Sequence, residues 1–222
     1  SKKGSQMKNI LLASAILTAL VSSNAFAEDA NKPSNGMYGG IDIGYGRVKT
    51  GVAQTAQYLA NDINEDVTAT YDKGVGVGRV YLGYTINENI ATEIGFFGST
   101  KHHTNYSSTN GLGDISAKAR GGDISVLLRP SVSTGLNNAF LRLGAQYSKI
   151  DESGDFVHND GVTITTYSTT NEKGSGFLIG AGFDAPIDKN MNARISYTYM
   201  DNLGGLSGAN VNLFSAGLKF DF

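Results

Sequence analysis

The sequence holds 222 residues, of which 40% are apolar and only 17% charged, with 29 glycines and no cysteine. Glycine is about twice its usual share and charge is well below it. Without cysteine there is no disulfide framework and no thiolate metal site, and 18 basic against 20 acidic side chains leave no basic footprint for nucleic acid.

The first element is an address. Met7-Lys8-Asn9 opens an apolar run from Ile10 to Val21, closed by Ala25-Phe26-Ala27. A short basic start, a brief apolar stretch and an A-x-A site read as a secretory signal peptide over 7–27. The run is too short to cross a bilayer, which takes about 20 residues. Residues 1–6 precede the start Met and read as a cloning remnant or a misplaced start. The remaining chain, 28–222, has lost Lys2, Lys3 and Lys8, leaving 15 basic against 20 acidic side chains.

From residue 37 onward the pattern has period two. Successive side chains of a strand point to opposite faces, so alternation marks a strand with one apolar face. It runs through Ile41-Ile43-Tyr45, Val80-Leu82-Tyr84, Thr92-Ile94-Phe96, Ile124-Val126-Leu128, Leu141-Leu143-Ala145-Tyr147, Phe177-Ile179-Ala181-Phe183, Ala193-Ile195-Tyr197-Tyr199 and Phe214-Ala216-Leu218-Phe220-Phe222. The predicted strands are 37–47, 73–86, 90–98, 117–129, 139–149, 174–185, 191–200 and 211–222. Connections at 87–89, 130–138 and 186–190 are short; those at 48–72, 99–116, 150–173 and 201–210 are longer. Gly83-Tyr84 to Ile94-Gly95-Phe96 weakly repeats as Gly182-Phe183 to Ile195-Ser196-Tyr197.

Charges decide which face is which. With the apolar parity outward, the other parity carries Asp42, Arg79, Glu93, Asp123, Arg142, Asp184, Arg194 and Lys219: one charge per strand, four of each sign. In lipid only a closed barrel satisfies every backbone polar group. Eight strands enclose a lumen just wide enough to be filled by side chains, and buried charges there must pair. The expected fold is therefore all-β: an eight-stranded antiparallel transmembrane β-barrel, an up-and-down meander with short periplasmic turns and long extracellular loops. Inner-parity glycines such as Gly40, Gly83, Gly95 and Gly217 leave room for long side chains. A soluble β-sandwich is the alternative. Lys118 and Arg120 break the outward rule, by lying above the membrane or by a bulge at Gly121-Gly122.

The signal peptide, the eight strands and the final Phe214-x-Ala216-x-Leu218-x-Phe220-x-Phe222 resemble the small outer-membrane barrels of the OmpA-like, OmpX/Ail-like group. The resemblance implies residence in the outer membrane of a Gram-negative bacterium, among its lipid and lipopolysaccharide. It implies that Phe220 and Phe222 are read by the barrel-insertion machinery. It also implies roles in envelope integrity, adhesion or host interaction through the loops, and a monomer. No periplasmic domain follows the last strand, so peptidoglycan binding is not carried over.

No catalytic, cofactor or metal site is expected. His102, His103 and His158 fall in predicted long loops and read as solvated. Asp62-Ile63-Asn64-Glu65-Asp66 opens like a calcium loop, but Val67 and Lys73 stand where Gly and Glu belong. Gly74-x-Gly76-x-Gly78 has the wrong spacing for a dinucleotide site. Segments 48–73, 99–116 and 148–173 carry net charges of −2, 0 and −3, unsuited to a heparin-like polyanion. A structural or surface-interaction role is expected. A narrow solute pore is the first rival and a lipid A-modifying enzyme the second.

Overall fold

The computed structural model describes residues 36–49, 52–72, 74–130, 138–159, 164–168 and 171–222. The expected signal peptide at 7–27 and the segment 1–6 lie outside the described residues. The elements are β1 (Met37–Lys49), α1 (Val52–Ile63), β2 (Thr68–Tyr71), β3 (Val75–Asn87), β4 (Ile90–Ser99), β5 (His102–Ser107), β6 (Gly111–Leu128), β7 (Ala139–Asn159), β8 (Ile164–Ser168), β9 (Glu172–Asp188), β10 (Met191–Met200), a 3-10 turn (Leu203–Gly205) and β11 (Asn210–Asp221).

Eight of these strands close a ring. β1 pairs antiparallel with β3 on one side and with β11 on the other. The ring continues β3–β4, β4–β6, β6–β7, β7–β9, β9–β10 and β10–β11, antiparallel throughout. No barrel edge is left to face lipid. Asp42 stands opposite Arg79 on β3 and Gly217 on β11, so the register sets the first ion pair. Six of the eight strands match the expected ones to within three residues at each end, while β6 begins six residues earlier and β7 ends ten residues later than expected.

The burial pattern is inverted relative to a water-soluble globule. Ile43 is 73% and Phe214 66% exposed, whereas Arg194 is 2% and Glu93 2% exposed. Tyr45, Phe214 and Tyr197 align across three strands, and the Tyr197 and Phe214 rings lie 4.9 Å apart. Aromatic rows of this kind mark a membrane interface.

Besides the 3-10 turn within 201–210, the other three long predicted loops contain further strands or helix. Beyond Thr100 and Lys101, β5 takes over from β4 as the partner of β6, and β2 pairs with β5. β8 pairs with the far end of β7. β6 and β7 run 18 and 21 residues, where a crossing takes about 9–11, so both project well past the bilayer. Their register is unbroken through Gly121 and Gly122. No bulge shifts Lys118 and Arg120; they lie on the projecting part, where Arg120 Nε meets Asp151 at 3.0 Å.

Helix α1 lies on this projection. Ala56, Leu59 and Ile63, spaced three and four apart, share one helix face. Ala56 and Leu59 pack with Tyr106 of β5 and Phe156 of β7 in a small apolar cluster that Ile63 and Ile115 flank. Asn64 ends the helix at a positive φ of 54°. The D-x-N-x-D segment is thus a helix end rather than an ion loop.

Candidate functional site: a lumen in two halves beneath a structured cap

The lower lumen, at the short-turn end, is a continuous ion-pair belt. Arg79 of β3 bonds Asp123 Oδ2 at 2.9 Å and Oδ1 at 2.8 Å, and Glu93 Oε2 at 3.1 Å. Its other terminal nitrogen lies 3.6 Å from Asp42. Arg142 of β7 reaches Asp123 at 2.5 Å and Ser125 at 3.0 Å. Arg194 of β10 bonds Glu93 at 2.6 Å and grips Asp184 through two nitrogens at 2.7 and 3.1 Å. Seven strands are tied together, and every carboxylate in the belt has a guanidinium within ion-pair range.

Arg129 completes the set. Its guanidinium bonds Asp184 at 2.8 Å, and its backbone N–H donates to Asn89 of the adjoining turn at 2.8 Å. It has the inner parity of Asp123 within the predicted strand 117–129, so alternation already turns it inward, although the expected interior set does not include it; β6 itself ends one residue earlier, at Leu128. Lys219 is buried at the inner face yet pairs with Asp221 on its own strand at 2.7 Å. The belt therefore holds Asp42, Glu93, Asp123 and Asp184 against Arg79, Arg129, Arg142 and Arg194.

Aromatic rings seal the spaces between charges. Arg79 and Arg194 stand 4.7 and 4.8 Å from the Tyr81 ring, and Arg194 also lies 4.8 Å from Phe140. Tyr38, Tyr81, Ala91, Leu127 and Phe140 form the buried cluster around them. A Cβ on Gly83 would run into the Tyr38 ring, and one on Gly95 would lie 2.6 Å from Arg79 Nε. Small residues at these points make room for the large ones. Phe220 is half-buried opposite Gly39 and Met191. The Phe222 N–H donates to Met37 at 3.1 Å, closing the seam between first and last strands.

Above the belt the lumen turns apolar. Phe97, Leu178, Met200, Leu203, Ala209, Val211 and Leu213 form one buried cluster. The chain after β10 folds inward to supply part of it. Gly204 N–H donates to Ser148 Oγ at 2.8 Å, and Gln146 Nε2 donates to the Asp201 carbonyl at 2.9 Å. A cavity of about 330 Å3 lies among these side chains, walled further by His102, Thr104, Ala117 and Glu152.

The histidines differ from expectation. All three lie on strands, and two are buried: His102 at 5% and His158 at 7% exposure. β5 alternates His102, Thr104 and Tyr106 inward and His103, Asn105 and Ser107 outward, and a mixed polar and apolar inward parity hides a strand from a search for apolar alternation. Burial lowers the pKa of the His102 ring. Burial, then the Glu172 carboxylate, raises that of Glu152. Neither ring nitrogen of His102 has a hydrogen-bond partner among the described residues.

The cap also carries a polar latch. Glu65, just past α1, accepts from Asn110 Nδ2 at 2.7 Å and from the Asn110 N–H at 3.2 Å, and lies 3.2 Å from His158 Nε2. Hydrogen bonds from Asn110, and then the nearby His158 ring, hold its carboxyl down at about 2.

A model of the OmpA-like transmembrane domain matches residues 32–222. The chain belongs to that family. It is an integral β-barrel of the Gram-negative outer membrane, with the short turns periplasmic and the cap extracellular. Similar solved structures include Ail of Yersinia pestis, at 16% identity and TM-score 0.41, covering 84% of this chain and 99% of Ail. OprG of Pseudomonas aeruginosa matches at 14% identity and TM-score 0.44, covering 84% and 94%. Neisserial surface protein A matches at 14% identity and TM-score 0.36, covering 84% and 97%. No curated protein matches the sequence.

Proposed function

We propose that this barrel is a non-catalytic surface protein. Its membrane part is an anchor, and its extracellular sheet, helix and loops make the contacts, with a host molecule or with the envelope itself. The observation that carries this reading is the contrast between a lumen crossed by a belt of eight paired charges, seven of them buried and Arg129 partly so, and an extracellular end where β2, α1, β5 and β8 add ordered structure. Loops on a rigid scaffold are well placed for recognition. The projecting strands carry Arg120, Lys149 and Asp151 just above the aromatic row, at the height of lipopolysaccharide head groups. The non-catalytic reading is supported by His102, whose ring nitrogens have no hydrogen-bond partner among the described residues, where a general base would hold its nucleophile. The last strand serves assembly, with Phe220 and Phe222 offered to the insertion machinery and the barrel acting as a monomer.

The test compares whole cells carrying the intact barrel with cells in which 48–72 or 150–173 is replaced by a short turn. Binding to a panel of host and envelope molecules is measured, with folding checked by the heat-dependent shift of the gel band. Loss of a specific binding partner with the folded band retained supports the reading. Porin-sized conductance steps in planar bilayers would defeat it in favour of a pore. A gene-dependent change in lipid A acylation would defeat it in favour of an enzyme.

A further inference from the structure

We propose that the extracellular half of the lumen is a binding site for a small molecule with an apolar one- or two-ring body and a single uncharged hydrogen-bonding head. The body lies among Val77, Phe97, Met200, Leu203 and Leu213, and the head meets His102.

Two independent observations lead there. The first is the cavity, about 330 Å3 with mainly aliphatic and aromatic walls. Ligand sites typically start near 300 Å3 and join an apolar lining to a few directed polar groups, and a cavity of about 150 Å3 already takes benzene. The second is His102, 5% exposed, lining this cavity, with both ring nitrogens unpartnered. A buried polar side chain without a partner is destabilising, and a ligand head would relieve that. A neutral imidazole offers one donor and one acceptor, which suits a hydroxyl.

The wall also sets a selection rule. Glu152 is the acidic group of the lining, with Glu172 close enough to act on it electrostatically. A carboxylate ligand would meet like charge with no cation on the wall to offset it. The belt below holds four guanidinium groups, but each already serves carboxylates. The preferred head is therefore a hydroxyl rather than an acid. The ledge that carries Leu203 is pinned by Ser148 and Gln146, so this part of the wall is held in place before a ligand arrives.

Met200 supplies a reporter, since it lines the cavity while Met37 and Met191 lie at the opposite end of the barrel. The full barrel, labelled at methionine methyl carbons and held in detergent micelles, is titrated with 2-naphthol, naphthalene and 2-naphthoate. The expected result is a saturable shift of the Met200 resonance with 2-naphthol, with Met37, which faces detergent, following only bulk partition. 2-Naphthoate should leave Met200 unmoved. His102→Phe should weaken 2-naphthol about tenfold, the equivalent of about 1.4 kcal/mol, and leave naphthalene within about twofold. Ala117→Phe, which fills the cavity, should abolish both shifts. A Met200 shift that tracks Met37 without saturating, or equal affinity for all three probes, overturns the proposal, and wild-type protein alone suffices to show either. Undiminished 2-naphthol binding in folded His102→Phe overturns the role of the histidine, and with it the proposed head contact.

Discussion

The two halves of the lumen solve one problem in opposite ways. Both are spaces inside a ring of eight strands, and both must be filled or bear the loss of contacts. The periplasmic half is filled with guanidinium groups, carboxylates and aromatic rings, fitted so tightly that the facing strand positions are glycine. The extracellular half is lined with aliphatic and aromatic side chains and keeps a cavity. Paired charges bind neighbouring strands through directed contacts and tolerate no missing partner. Apolar walls are indifferent to direction and accept rearrangement. The first arrangement fixes a barrel; the second leaves room for something to enter it.

The largest effect should come from breaking the belt. Arg194→Ala strips the principal partner from Glu93 and Asp184 together and should destabilise the barrel by about 3–5 kcal/mol, read as a lower urea midpoint for unfolding from lipid vesicles. A variant that also removes both carboxylates (Glu93→Gln with Asp184→Asn) should recover part of that loss, because no acid is then left uncompensated. Next comes Gly95→Leu. Its first side-chain carbon would lie 2.6 Å from Arg79 Nε, so overpacking should cost about 1–3 kcal/mol. The contrasting insertion, Ala119→Leu on the cavity wall, should change stability by less than about 1 kcal/mol in either direction, since the added carbons occupy existing space. Equal losses from the two insertions would erase the distinction between the halves.

The smallest effect should be local and pH-dependent. The Glu65 carboxyl is held at about 2, below its usual value of 4.5. Its contribution to the cap is complete above the ordinary carboxylate range and is lost as pH falls from there through about 2. Hydrogen exchange should show α1 opening faster at pH 3 than at pH 6 with the belt strands unchanged. Glu65→Gln should weaken this pH dependence.

The barrel was legible because the period-two pattern extends over a full crossing in each strand, with glycine or charge on the inner parity. The bounds of β1, β4 and β10 follow from it within two residues. The cap was not legible from that pattern. β5 mixes His102, Thr104 and Tyr106 on its inward face, the far end of β6 sets only glycine, alanine and one isoleucine against its polar face, and the far end of β7 carries polar residues on both faces. The helix did leave a trace in the Ala56, Leu59 and Ile63 spacing, which a search for alternation passes over. Seven of the eight predicted interior charges meet in one belt, and Arg129 stands in place of Lys219. A parity rule fixes the face of a residue, not its height, and near a strand end height decides which partners a long side chain can reach. The apolar upper lumen carried a signal too. In Val75-Gly76-Val77-Gly78 and Val211-Asn212-Leu213 the larger apolar residues hold the inner parity, reversing the order found lower in the same strands.

The inverted surface has a consequence for how such a chain travels. Ile43 and Ile124 lie between glycine, serine or a charge, and the pairs Phe96-Phe97 and Leu213-Phe214 are bounded by glycine, asparagine or serine, so none belongs to a greasy stretch long enough to arrest a polypeptide in transit. The oily exterior comes into being only when first and last strands meet and all outward side chains turn to the same side. Solubility in transit and solubility in fat are thus properties of two conformations of one molecule, and entry into the bilayer coincides with folding itself.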